Sequence, residues 1–344
     1  MIGFTGIANE YTPGALSNQL IPILIDTDLA FGSENADVDD ALAILLALAH
    51  PERFDVLAIT AVSGNVDAIR AGANIKRLLE RLGRDDIPHC AASNRPLDSR
   101  FWVESRWKAQ PKSLMERETA MNARYKTPGF GVDLIRDTLR SANEPVTVVC
   151  VGPLTNVALA LSIEPDLSSN IRMIAAMGGT HLVPGVADGP AEFNVLVDPE
   201  GAALVFTSSV PVVLFSLDVT KKQAIEAVDL ESWRSTPSGL LYQLAKDAEG
   251  YMSHRAMMYH QDRPYMFFHD AMPMVWLMQP NLFTLRSCLI SVDCSGEYTR
   301  GVTVVDTQKR AGRELKHWIA VDVDAPAALD LVIQDLTECF GGMA

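Results

Sequence analysis

Short apolar runs recur along the chain, and each ends on glycine or a polar residue. Ile21–Ile25 runs into Asp26-Thr27-Asp28, Val56–Val62 into Ser63-Gly64-Asn65, and Val146–Val151 into Gly152-Pro153. Ile171–Met177 ends on Gly178-Gly179, and Val210–Leu217 on Asp218. Runs of this length with such stops predict buried strands feeding loops. Between them the periodicity is helical: DDALAILLALAH from Asp39 to just before Pro51, Asp67 to Leu82 with a break at Gly83, and a stretch reaching about Leu161. Residues 228–268 read as a further amphipathic helical region carrying Tyr242, Tyr251, His254, Tyr259 and His260.

Strands alternating with helices imply parallel βαβ units and a sheet covered on both faces. The expected fold is therefore α/β: one large domain with a Rossmann-like, mostly parallel central sheet flanked by helices. Its site is expected beyond the carboxyl ends of the strands, where ligands of open sheets bind. Residues 1–20 read as a polar N-terminal extension and 21–344 as the domain. Residues 98–130, polar and containing Trp102 and Trp107, break the alternation; a flap and an irregular helical insertion both fit.

Charge narrows the partners. The net charge of -14, with no cluster of Lys or Arg, argues against nucleic acid and against an anionic membrane. No segment reaches the roughly 18 consecutive apolar residues a membrane span needs. The N-terminus lacks the basic and apolar regions of a signal peptide, so a soluble, cytoplasmic protein is expected. Five scattered cysteines, never spaced C-x-x-C, fit reduced thiols better than a disulfide framework or a zinc ribbon.

The densest chemistry lies in DTDLAFGSENADVDDALA, residues 26–43 counted through its closing Ala. Asp26 and Asp28 end a strand, Asp39 and Asp40 open a helix, and Asp37 precedes them. A helix N-terminus favours nearby carboxylates, which accounts for Asp39 and Asp40 as caps. It does not account for two more carboxylates on the adjoining strand end. Converging carboxylates without His or Cys suit a hard cation such as Ca²⁺ or Mg²⁺. A strand-terminal D-x-D also occurs as the nucleophile of haloacid-dehalogenase-like phosphatases, but those lack the Asp-Asp pair at the next helix.

Three later segments change the picture: VGPLTNVALAL (151–161), MGGTHLVPGVADGPAEFNVLVDPEGA (177–202) and FFHDAMPMVW (267–276). With the acidic motif and GEYTRGVTVVD (296–306), the chain resembles the inosine-uridine nucleoside hydrolase family from about Ile23 onward. The resemblance implies hydrolysis of the N-glycosidic bond of ribonucleosides to base and ribose, in purine or pyrimidine salvage, by a dimer or tetramer. It implies one Ca²⁺ held by Asp28, Asp40, Asp270 and the carbonyl of Val151. Asp28 would also take the proton from the metal-bound water. Asp39, Asn65, Glu192 and Asn194 match positions that hold the ribose hydroxyls, with Met177 beside the sugar. His269 matches a histidine near the base that serves some members as proton donor, and Asp26 supports the loop from behind.

Each residue also has a plainer reading. Asn65 after Gly64 fits a turn, and His269 fits a satisfied core histidine. Glu192 and Asn194 flank Phe193 at strand-like alternation, which places both on one side. His254, Tyr259 and His260 fit either a base pocket or a helix surface, and His181 is undecided. The chain also departs from the family. Ten residues, LAFGSENADV, separate Asp28 from Asp39 where three are usual; they either bulge outward or bring Asp37 toward the metal. A sugar-contacting asparagine is replaced by Val186, so that one sugar contact is either missing or taken over by Asp188. The flap has no clear His-Gly pair, so base preference is not legible. Two other functions remain: an N-glycosidase of another ribosyl compound, and a catalytically silent ribose- or nucleoside-binding protein.

Overall fold

The computed structural model describes residues 20–33, 35–98, 130–186, 189–235, 239–310 and 312–342. Nearly all of the N-terminal extension and of the 98–130 segment, and Asp188, lie outside these residues.

The first half alternates as expected: β1 (Ile21–Thr27), α1 (Asp39–Ala49), β2 (Phe54–Ala61), α2 (Ala68–Leu82), β3 (His89–Ala91), α3 (Gly131–Ser141), β4 (Val146–Cys150), α4 (Thr155–Ile163) and β5 (Ile171–Met177). Then come the short helices α5 (Phe193–Val197) and α6 (Pro199–Thr207), β6 (Val212–Phe215), and α7 (Leu217–Thr220). A small ribbon, β7 (Ala224–Ile225) with β8 (Met266–Phe267), brackets α8 (Glu231–Arg234) and α9 (Leu240–Met258). The chain closes with α10 (Ala271–Met278), β9 (Phe283–Val292), β10 (Thr303–Asp306), β11 (His317–Val323) and α11 (Ala325–Phe340).

The nine-stranded sheet has the order β10-β9-β11-β6-β5-β4-β1-β2-β3. From β3 through β6 to β11 every pairing is parallel; β9 and β10 join antiparallel at one edge. Chain direction across the sheet reverses between β1 and β4, the point where open α/β sheets leave a crevice for ligands. The central strands have no solvent face. Ile23 and Ile25 of β1 join the core under α1, α10 and α11, while Leu24 joins the core under α3, α4 and α6. This two-sided burial is why β1 reads as a continuous apolar run rather than an alternation.

Helix ends follow local chemistry. Asp67 caps α2 by accepting from the Arg70 N–H at 3.0 Å, and Gly83 closes it in the left-handed region at φ 64°. Almost all of α1 is buried, because α10 and α11 cover the side that faces away from the sheet. The 228–268 region is not one helix: α9 stops at Met258, and His260 has φ 52° before the chain enters β8. The run Val210–Leu217 is strand only over β6, since Leu217 opens α7.

Candidate active site

The acidic residues meet at the reversal between β1 and β4. Asp26 and Asp28 come from the end of β1, Asp39 and Asp40 from the first turn of α1, and Asp270 from the position just before α10. All five are buried. Carboxylate oxygens of Asp39, Asp40 and Asp270 lie within 4.8 Å of one another. Asp40 Oδ1 accepts from the Asp28 backbone N–H at 3.2 Å and from the Thr27 hydroxyl, and Asp40 Oδ2 accepts from Asn65 Nδ2 at 3.3 Å. The Asp270 N–H donates to Asp39 Oδ2 at 3.2 Å, tying α10 to α1.

Asp28 sits in a glycine cradle. Its Oδ2 accepts the Asn65 N–H. A Cβ on Gly64 would fall 1.9 Å from Oδ2, and one on Gly152 would fall 3.0 Å from Oδ1. Glycine is required at both places because the backbone closes on the carboxylate. Oδ1 is buried and has no hydrogen-bond partner among the described residues. Behind it, Asp26 Oδ1 accepts from Thr60 Oγ1 at 2.6 Å and Asn156 Nδ2 at 2.7 Å.

Burial, followed by mutual repulsion, sets the proton affinities. Asp28, Asp39 and Asp270 are held well above the usual carboxylate range, first by desolvation and then by neighbouring aspartates. Burial pushes Asp40 up to about 6 and Asp26 up to about 7, against the hydrogen bonds that favour their charged forms. Several buried carboxylates, with Asp26 Oδ2 and Asp28 Oδ1 left without a hydrogen-bond partner among the described residues, fit a hard divalent cation, whose charge would offset both penalties. The acidic cluster can hold a metal.

Asp39 and Asp270 open into a cavity of about 560 Å³, while Asp26, Asp28 and Asp40 lie behind its lining. Asp39, Asn65, Val151, Met177, Glu192, Asn194, His269 and Asp270 all line it, so widely separated sequence segments converge on one space. Asp37 and Val186 line it too; the insertion therefore does more than bulge outward. Leu29, Ala30 and Phe31 of that insertion are buried, anchored by Asn74 Nδ2 on the Leu29 carbonyl at 2.9 Å, while Asp37 hydrogen-bonds the Tyr251 hydroxyl.

Glu192 and Asn194 do not sit on a strand. Glu192 is the N-cap of α5, accepting from Asn194 N–H at 2.8 Å, Gly179 N–H at 2.9 Å and Val195 N–H at 3.1 Å. The cap overrode the alternating pattern because three backbone donors converge on one carboxylate. Asn194 Nδ2 donates to the Val151 carbonyl at 3.0 Å and to that of Met177 at 3.3 Å. The Val151 oxygen keeps a second lone pair. His269 Nδ1 shares a 2.6 Å hydrogen bond with the Thr220 hydroxyl, and burial, then the Arg255 and Lys221 charges, lower its pKa to about 3.

His181, His254 and His260 do not line the cavity, whereas Tyr259 does. Among the other wall residues, Lys221, Arg255, Gln261 and Tyr265 were not legible in sequence. These residues follow no spacing that marks a site, and most look like ordinary positions of an amphipathic helix and its exit loop.

A carboxylate cluster able to hold a cation at the switch point, amide and carboxylate groups around it, and an aromatic wall beyond define an N-glycosidase site on a doubly wound sheet. The profile of the inosine-uridine preferring nucleoside hydrolases matches residues 23–330, and the chain belongs to that family; it is a nucleoside hydrolase. Over 324 residues it is 36% identical to the pyrimidine-specific ribonucleoside hydrolase RihA of Salmonella gallinarum, covering 92% of this chain and 98% of the relative. RihA of Citrobacter koseri is similar at 36% over 327 residues, with the same coverage. The structure of the plant nucleoside hydrolase PpNRh1 superposes with a TM-score of 0.76 at 25% identity, covering 92% of this chain and 99% of that one.

Proposed function

We propose that this hydrolase acts on pyrimidine ribonucleosides, with Ca²⁺ at the aspartate cluster and Asp28 as the base that accepts the proton of the attacking water. The observation that carries the mechanism is Asp28 Oδ1, buried, without a hydrogen-bond partner among the described residues, and enclosed by Gly64 and Gly152 beside the other carboxylates. A bound divalent cation supplies Lewis-acid chemistry, making a water nucleophilic near neutral pH. Asp28, Asp40, Asp270 and the Val151 carbonyl would hold it, and Asp39, whose carboxylate lies close to those of Asp40 and Asp270, would be a further donor.

The chain's own groups do the rest. Asp28 takes the proton as the water oxygen bonds to C1′. Asp39, Asn65, Glu192 and Asn194 hold the ribose hydroxyls, with Met177 against the sugar. Glu192 is oriented for this by its three backbone donors; burial raises its pKa, and those donors oppose the rise. The preference for pyrimidines rests on the similarity to the RihA enzymes.

The test is kcat/KM for uridine, 2′-deoxyuridine, uridine 5′-monophosphate and inosine. A buried group built to bond a hydroxyl rejects the deoxy analogue by up to about 10⁴-fold. Uridine is expected to lead, with the deoxy and phosphorylated forms poor. Comparable values for the three uracil compounds would remove the sugar grip, and faster inosine turnover would remove the pyrimidine reading.

A further inference from the structure

The cavity has a second pole. Beyond the carboxylates it is lined by Arg255, Tyr259, Gln261, Tyr265 and Phe267. The Arg255 guanidinium carbon lies 5.9 Å from the Tyr259 ring centre, 5.8 Å from that of Tyr265 and 5.9 Å from that of Phe267. Three ring faces fix the cation in place without consuming its N–H groups. Its Nε is buried and makes no hydrogen bond among the described residues. A buried donor left unmade in a native site is unusual and points to a missing partner.

Gln261 supplies the complement. Its Nε2 donates to the Tyr265 hydroxyl at 3.3 Å, which orients the amide, and its Oε1 is buried with no partner. One free donor and one free acceptor in an aromatic-walled space match a planar ring presenting a carbonyl or ring-nitrogen acceptor beside an N–H. Uracil offers this at O2 or O4 with N3–H; cytosine offers it at N3 with its amino group.

We propose that Arg255 is a catalytic residue of this hydrolase, stabilising the negative charge that gathers on the base as the glycosidic bond breaks. The proposal rests on the nucleoside-hydrolase reading of the site and adds what happens to the leaving group. When C1′–N breaks, both bonding electrons stay on the base, and in a pyrimidine they spread onto the ring carbonyls. The water oxygen bonds to C1′, and Asp28 takes the water's proton. An arginine stays protonated at any working pH and gives up no proton. It meets the anion with a charge-assisted hydrogen bond, and the base is protonated from solvent after release. The rings hold the guanidinium in place before the reaction, so little reorganisation is needed as charge develops.

The experiment compares wild type, Arg255→Lys and Arg255→Gln on three ribosides: uridine, 5-fluorouridine and p-nitrophenyl β-D-ribofuranoside. The p-nitrophenolate leaves without assistance, so that substrate reads the ribose and water machinery alone. For Arg255→Gln, kcat on uridine should fall on the order of 10²- to 10³-fold, the usual effect of deleting one preorganised donor. The loss should be smaller on 5-fluorouridine and no more than a few-fold on the nitrophenyl riboside, which also reports correct folding. Arg255→Lys keeps charge but not the planar fork, and should fall between. An equal loss on all three ribosides, or unchanged uridine turnover, would overturn the proposal. Wild type inactive on both uridine and the nitrophenyl riboside would instead sink the underlying reading of the site.

Discussion

Asp28 shows how one side chain is specified by its surroundings rather than by its own type. Its carboxylate is boxed by Gly64 and Gly152, held at one oxygen by the Asn65 N–H and left open at the other. Asp28→Asn keeps the shape and removes the charge. It should lower kcat on uridine on the order of a hundredfold or more, as loss of a general base does. Near wild-type turnover with Ca²⁺ still bound, read by calorimetry, would mean that another group takes the proton. The motif flags Asp28 because carboxylates are conspicuous at a strand end. Nothing in the sequence around Gly64 or Gly152 reveals that they touch the same carboxylate, since that contact joins loops after two different strands.

Among elements, the junction of α6, β6 and β11 turns on His317, which is buried. The Val212 N–H donates to its Nδ1 at 3.2 Å, and Nε2 faces the Phe206 carbonyl at 2.8 Å. Only the neutral ring with its proton on Nε2 satisfies both partners, because a proton on Nδ1 would confront a backbone donor. Burial is the main reason its pKa falls from 6.5 to about 4, the Lys316 charge adding to it and the Phe206 bond opposing it. With the folded pKa depressed, its contribution is fully present above pH 6.5 and is lost as pH falls toward about 4. Buried aspartates slope the other way, so the comparison must be differential. Urea unfolding of wild type and His317→Gln from pH 7.5 to 4.5 should show a slope difference of about 1.4 kcal/mol per pH unit in the lower part. Parallel profiles would assign the junction's stability elsewhere. The amphipathic reading of 228–268 caught α9 but not its end, since the turn at His260 and the β7–β8 ribbon come from pairing with a distant segment.

At the scale of the whole molecule, the sheet gathers carboxylates whose burial and mutual repulsion raise their proton affinities. Asp40 at about 6 and Asp26 at about 7 bind protons more tightly folded than unfolded. The stability from those protons is complete below about pH 4 and disappears as pH rises through 6 and 7. Metal-stripped protein should therefore lose Tm as pH rises over this window. Added Ca²⁺ should restore it more strongly at pH 7.5 than at pH 5, where protons compete for the same oxygens. A hundredfold excess over Kd corresponds to about 2.7 kcal/mol. Scanning calorimetry with and without Ca²⁺ checks this; a Ca²⁺ effect that is absent, or that grows toward acid pH, would count against the cluster as the metal site.

The alternation of strand and helix, the parallel core and the acidic strand end were all determined by sequence, because each depends on residues close together in the chain. Buried strands must be apolar along their whole length, and their stops must be glycine or polar where loops return to water. Only the tertiary structure decided the strand order, the antiparallel edge of β9 and β10, and which carboxylate oxygens approach within a cation's reach. It also brought Asp37 of the insertion to the cavity and converted Glu192 from an apparent strand residue to the cap of α5. The wall of Arg255, Gln261 and the three rings belongs to the same class. Apart from Tyr259, a base-pocket candidate already in the sequence, its residues are ordinary when read along α9 and its exit, and line one cavity only when β1, β4 and α10 are packed beside them, because a binding surface is a property of distances that chain neighbours do not encode.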